Sequence, residues 1–248
     1  MKRFIVIIAL LVSTSLYAQE FQPGSYDFIN FQVLSSNTNS EVKPALVLFL
    51  HGRHASGSDN TAQINQPAVR AIAEFITTNN IPAYLLVPQC PSDYEWLEGH
   101  DSPGCINTVL GLLKQCLSEK DIDTNKIYLC GTSMGSWAAW SILSSNPHLF
   151  AAAFLASGMP RGINPQTLTS TPIKVTVGSE ERSFERLKEF TSDIKDAGGC
   201  VDFEVLLGCD HPHACRTAYT PKRLKWIFEQ VRTTHSNKSH RKRVPNRD

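Results

Sequence analysis

Apolar residues in this chain gather into short unbroken runs, separated by stretches in which they recur at helical spacing. Runs of strand length stand at Ala45 to Leu50, Ala83 to Val87, Ile127 to Cys130, Ala151 to Ala156, Ile173 to Val177 and Val201 to Leu207. Most lack the in–out alternation of a half-solvated strand, which predicts strands covered on both faces, as in a parallel sheet. Between them, Val69, Ile72, Ala73 and Ile76 follow Pro67 at a first-turn position, and Phe184, Leu187 and Ile194 run toward a Gly198-Gly199 stop. Leu224, Ile227 and Val231 mark a final helix. Strands alternating with helices of this length predict an α/β fold with a doubly wound, mostly parallel sheet flanked by helices. Tyr26 to Leu34 would supply antiparallel edge strands.

The two ends read differently. Met1-Lys2-Arg3, an uncharged run from Phe4 to Val12 and a small polar stretch up to Ala18 have the layout of a signal peptide, with cleavage expected after Ala18. The run is too short to span a bilayer, so the expectation is a secreted or periplasmic protein with no stable membrane span after cleavage, a retained N-terminal anchor being the lesser alternative. From His235 to Asp248 the chain turns polar and basic, with Lys238, Arg241, Lys242, Arg243 and Arg247, and loses apolar periodicity, which predicts a disordered tail. One domain is expected between them, over residues 19–234.

Composition narrows the function. A net charge of +1 over 248 residues leaves no strongly basic face for nucleic acid. Export would put the seven cysteines in an oxidising compartment. An odd count leaves one unpaired; Cys130, at the end of a buried strand, is the expected free thiol. Cys90 with Cys105 and Cys209 with Cys215 are candidate pairs, and Cys116 and Cys200 complete the six.

The chemistry centres on Gly131-Thr132-Ser133-Met134-Gly135, which follows one apolar run and opens a helical stretch. A serine on such a strand-to-helix turn projects its hydroxyl clear of the sheet, and glycines two residues either side remove side chains that would collide there. The bland alternative is an ordinary helix cap. A hydroxyl is a poor nucleophile at neutral pH and needs a base, oriented in turn by a third group. In the order that accompanies such a turn, the acid follows a later strand and the histidine follows the last one. Those places hold Gly178-Ser179-Glu180-Glu181-Arg182 and Gly208-Cys209-Asp210-His211-Pro212-His213.

With these motifs in place, the stretch from Ala45 to Val231 resembles a secreted serine esterase of the α/β-hydrolase superfamily. The branch is the one with predicted peptidases, polyester depolymerases and feruloyl esterases. The resemblance implies that the acid lies three residues after a glycine. That selects Glu181 where the branch commonly has Asp, with Glu180 as the alternative. It implies His211 by the same count from Gly208, upstream of Tyr219 and Trp226, with His213 as the rival. Asp210, adjacent to the base, cannot easily reach its far ring nitrogen and is read as a loop cap.

The oxyanion donors implied are the main-chain N–H of Met134 and, through the His51-Gly52-Arg53 turn, that of Arg53. His51 is read as stabilising the turn; His54, His100 and His148 are read as surface or loop residues. Pro88-Gln89-Cys90-Pro91, followed by Trp96, resembles the branch's loop beside the site, with Trp96 either walling the substrate or packing under the loop. Little chain separates Ala156 from Ile173, so no large cap domain is expected, although the loop Ser92 to Asn107 could lid the cleft.

The resulting expectation is a cofactor-free hydrolase of carboxylic esters, taking small-molecule or polymer-borne acyl groups. A peptidase using the same residues is the first alternative. Metal binding by the Cys, Asp and His residues between Cys209 and Cys215 is another, although that spacing matches no closed zinc pattern, and no metal ligand is assigned. A binder that has lost its chemistry is the last.

Overall fold

The computed structural model describes residues 20–99 and 101–232. The expected leader and basic tail, and His100, lie outside the described residues. Eight strands form a single sheet: β1 (Phe21–Tyr26), β2 (Ile29–Ser36), β3 (Ala45–Leu50), β4 (Ala83–Gln89), β5 (Ile127–Thr132), β6 (Ala152–Ala156), β7 (Ile173–Gly178) and β8 (Val201–Leu206). Their spatial order is β1-β2-β4-β3-β5-β6-β7-β8. The β1/β2 and β2/β4 pairs are antiparallel and all others parallel.

Six helices cover the faces: α1 (Pro67–Thr78), α2 (Ile106–Glu119), α3 (Met134–Ser145), α4 (Phe184–Asp196), α5 (His211–Thr217) and α6 (Pro221–Phe228). Successive residues of a strand point to opposite faces, so a strand covered on both sides must be apolar throughout. In β3, Leu46, Leu48 and Leu50 pack with Leu112 of α2, Trp140 of α3 and Leu187 of α4. Val47 and Phe49 of the same strand pack with Ile72 of α1 and Ile227 of α6. This two-sided burial accounts for the unbroken run Ala45–Leu50, in which every position is buried.

Three elements depart from the pattern. Helix α2 is absent from the sequence expectation, although Val109, Leu112, Leu113 and Cys116 carry helical spacing and are its buried residues. The final helix stops at Phe228, and Val231 is 53% exposed beyond it. The chain there is drawn across β5 instead: Tyr128 Oη donates to Gln230 O at 2.8 Å, and Arg232 N to Asn125 O at 2.9 Å. Strand β8 ends at Leu206, leaving Leu207 84% exposed, because this edge strand has a neighbour on one side alone. The described cysteines are all free thiols, against the expectation of disulfides. Cys90 and Cys105 approach to 3.6 Å between sulfurs, a thiol contact rather than a bond.

Tyr219 ties the segment between α5 and α6 to the centre of the sheet. Its ring packs 4.3 Å from Phe154 and 5.8 Å from Phe49, centroid to centroid. Its oxygen accepts from Gly131 N at 2.9 Å and lies 2.9 and 2.8 Å from the carbonyls of Gly131 and Phe154, donating to one of them. Burial raises its pKa well above 10, so the phenol stays neutral. Replacing it by Phe would leave these buried groups without their partner, at a cost of roughly 1–3 kcal/mol. Urea unfolding of Tyr219→Phe should show a loss of that size, with an unchanged slope.

Candidate active site

The site lies where β3, β5, β6, β7 and β8 run out at their carboxyl ends, as ligand sites do in open α/β sheets. Ser133 joins β5 to α3 with φ 52° and ψ −117°, a conformation that is strained for a residue with a side chain. Main-chain bonds hold it there: Ser133 N donates to Ala156 O at 2.9 Å and Trp137 N to Ser133 O at 3.1 Å. Ser136 Oγ sits 2.8 Å from the carbonyls of both Gly131 and Ala156.

Close packing explains the flanking glycines. A Cβ on Gly135 would stand 1.9 Å from Leu50 O, and one on Gly131 would stand 2.8 Å from Gly135 C. The turn therefore works by backbone contact with the end of β3, where Gly52 follows.

His211 is the first residue of α5 rather than part of an irregular loop. Asp210 caps that helix by accepting from His213 N at 2.9 Å, which fixes how His211 leaves the turn. The His211 ring bridges two partners: Nε2 is 2.8 Å from Ser133 Oγ, and Nδ1 is 2.7 Å from Glu181 Oε2. Glu181 is buried after β7, and its other oxygen accepts from Gly178 N at 2.8 Å and Ser157 Oγ at 2.7 Å. Of the two histidines and two glutamates weighed from the sequence, His211 meets Ser133 and Glu181 meets His211. Glu180 and His213 are exposed and do not join this line.

Electrostatics follow from those contacts. Burial acts to raise the Glu181 carboxyl, but the hydrogen bonds from His211, Gly178 and Ser157 outweigh it and hold its pKa below 4.5. His211 is raised above its ordinary 6.5, first by the Cys215 sulfur 3.9 Å from Nε2 and then by Glu181, against burial.

His51 is a different histidine altogether. It is fully buried; Nδ1 lies 2.8 Å from Gly52 O, while Nε2 accepts from Cys90 N at 3.0 Å. Accepting at Nε2 puts the ring proton on Nδ1, so the neutral ring donates to Gly52 O. Burial lowers its pKa to about 4, which keeps the ring neutral. It braces the turn that begins the short 3₁₀ segment Arg53–Ala55.

That turn faces the serine: a Cβ on Gly52 would lie 3.3 Å from Ser133 Cβ. Met134 and Arg53 each begin a helical segment, so their N–H groups belong to a first turn without an intrahelical acceptor. The Trp96 expectation needs correction. Trp96 has no exposed surface and reaches no substrate; its Nε1 donates to His51 O at 2.9 Å, and its ring packs on His51 at 4.8 Å. It supports the turn from beneath.

Sequence reasoning missed Ser157 and Trp137. Ser157 stands at the end of β6 with φ 55°, before Gly158, and a serine–glycine pair after a buried strand was the available signal. Trp137 lines cavities of about 420 Å³, with Met159 and Glu181, and about 190 Å³, with Met134 and Leu97 of the 92–105 loop. Among the described residues, no three His, Cys, Asp or Glu side chains cluster as a metal site, and no helix is long and apolar enough to cross a membrane.

No family model matches the chain. Over 63 residues, a quarter of this chain and 17% of the relative, it is 32% identical to a probable acetylxylan esterase A of Aspergillus fumigatus. A thermostable esterase of known structure superposes with a TM-score of 0.75 at 26% identity, over 86% of this chain and 63% of that one. A ferulic acid esterase superposes at 0.66 with 13% identity, over 84% and 96% of the two chains. The chain thus has the α/β-hydrolase fold, with no large cap domain among the described residues, and esterases are among its structural neighbours. It spans less than two thirds of the thermostable esterase's length.

The carboxylate network carries a stability prediction. Glu181, held below 4.5, contributes stability that is present above that pH and lost as pH falls through its folded pKa. Ser157→Ala removes one donor from a buried carboxylate and should cost about 1.5–3 kcal/mol near pH 7. Chemical unfolding across pH should show that difference shrinking below about pH 4.5, where protonation ends the charge-assisted bond.

Proposed function

We propose that the protein is a serine hydrolase that cleaves carboxylic esters through an acyl-enzyme on Ser133. The observation that carries this reading is the continuous hydrogen-bonded line from Ser133 Oγ through His211 to Glu181, at 2.8 and 2.7 Å. His211 Nε2 takes the hydroxyl proton as Oγ attacks the ester carbonyl carbon. Glu181 fixes the imidazole with its second proton on Nδ1 and stabilises the imidazolium that forms. The carbonyl oxygen, now negative, is received by the N–H groups of Met134 and Arg53.

Collapse of the tetrahedral intermediate breaks the bond to the alcohol oxygen, which takes the proton from His211. Water, deprotonated by the same Nε2, then releases the acid and restores Ser133. No cofactor enters these steps. Esterases among the structural neighbours support ester substrates, and acetylated sugars are a sensible first panel given the 63-residue likeness. The leader-like first 18 residues favour action outside the cytoplasm.

Ser133→Ala should reduce turnover of every accepted acyl ester by at least about 10³-fold and abolish labelling by a fluorophosphonate. Persistent turnover would remove the reading. The pH dependence has a defined sign: attack needs neutral His211, whose pKa is raised, so activity is low in acid and climbs as pH passes through that raised value. The acidic limb of kcat/KM should lie above pH 6.5, and Cys215→Ala should move it to lower pH.

A further inference from the structure

One cavity is lined by Ser133 and His211 together, a second by His211, and a third by Met134, the neighbour of Ser133; the three differ in charge. The cavity of about 420 Å³ carries Glu180, Glu181 and Asp210 against one arginine, Arg182. That of about 190 Å³ carries Glu95 and Glu98 against Arg161, whose guanidinium stacks 3.9 Å over the Trp137 ring. The remaining cavity, about 250 Å³, is lined by Arg53, His54 and Arg216 together with Ser133, His211 and Cys215, and by no carboxylate. Arg53 is ion-paired with Glu95, which belongs to the neighbouring cavity, so its charge is partly met. Arg216 is exposed and takes part in no ion pair among the described residues.

Position tells which half of an ester enters here. The leaving oxygen must lie within reach of His211 Nε2, which protonates it, while the acyl group extends away from that nitrogen. Of the three cavities, the cationic one is lined by both Ser133 and His211. The one lined by Met134, Trp137 and Leu97 includes neither residue and offers apolar surface suited to the acyl chain.

We infer that this cavity is a subsite for an anionic group, a carboxylate above all, on the alcohol half of the ester, with Arg216 as its principal counter-charge. The inference rests on the ester-hydrolase reading of Ser133 and His211 and names its substrate class. Arg216 acts here on specificity and not on the bond-making steps. An exposed cation in a cleft gives a modest preference that salt weakens, since screening reaches about 3 Å at 1 M against about 30 Å at 0.01 M.

The test compares the acetyl ester of 4-hydroxybenzoate with that of the isosteric 4-hydroxybenzamide. In the native enzyme at low salt, kcat/KM should favour the carboxylate by about three- to tenfold. The ratio should fall toward one in 1 M salt and in Arg216→Gln, and should invert in Arg216→Glu. A ratio unmoved by these substitutions would reduce Arg216 to a cation at the last turn of α5 and overturn the subsite. A preference for carboxylate on the acyl half, tested with an aryl hemisuccinate, would overturn its assignment to the alcohol side.

A second readout needs no turnover. Labelling of Cys215, followed by peptide mass, should be faster with a sulfonate-bearing methanethiosulfonate than with its trimethylammonium counterpart, and Arg216→Gln should narrow that difference. Loss of the labelling bias would sink the subsite. Failure to cleave any ester while the bias persists would instead sink the hydrolase reading alone.

Discussion

The contact on which the rest depends is that between two backbones: the turn from β5 into α3 lies so close to the end of β3 that there is no space for a Cβ on Gly135. That approach brings the Gly52 turn against Ser133, between the helical segments that begin at Arg53 and Met134. It also explains the strained φ of Ser133, which the bonds from Ser133 N to Ala156 O and around Ser136 sustain. Strain of this kind costs of order 1–3 kcal/mol and persists when surrounding structure over-determines it.

The supports beneath the site are mostly neutral, while those at its centre are charged. His51, uncharged and hydrogen-bonded at both ring nitrogens, locks the turn after β3 to the loop at Cys90, and Trp96 closes the assembly by donating to His51 O. A neutral ring with both nitrogens hydrogen-bonded avoids the far larger desolvation cost of a buried charge. Glu181 is the opposite case. Its buried carboxylate is tolerated because three donors satisfy it, and that satisfaction makes it a fixed counter-charge for His211.

The surroundings then give direction to an otherwise general chemistry. Among the described residues no large cap covers the sheet, and the segments bordering the cleft are the 92–105 loop, the stretch after β6 and helix α5. Their charges are unevenly shared: carboxylates outnumber arginines in two of the cavities, and the third has arginines and no carboxylate. An open cleft of this sort discriminates by electrostatics and orientation more than by engulfing its substrate.

Much of this could be read along the chain because it depends on local pattern. Unbroken apolar runs meant two-sided burial; glycines around Ser133 meant a tight turn; and the order serine, acid, histidine followed from where later strands end. Those features belong to sequence because periodicity and backbone sterics act over a few residues. The preference for Glu181 over Glu180 and for His211 over His213 came from the resemblance, which implies that spacing from a glycine. What orients them is tertiary: the donors from Gly178 and Ser157 and the cap of Asp210 on α5. The burial of Trp96, the free thiols, the place of Ser157 and the clustering of Arg53 with Arg216 were likewise decided by the folded chain. Each depends on groups far apart in sequence meeting in space, and no local pattern encodes which side of a loop faces the cleft.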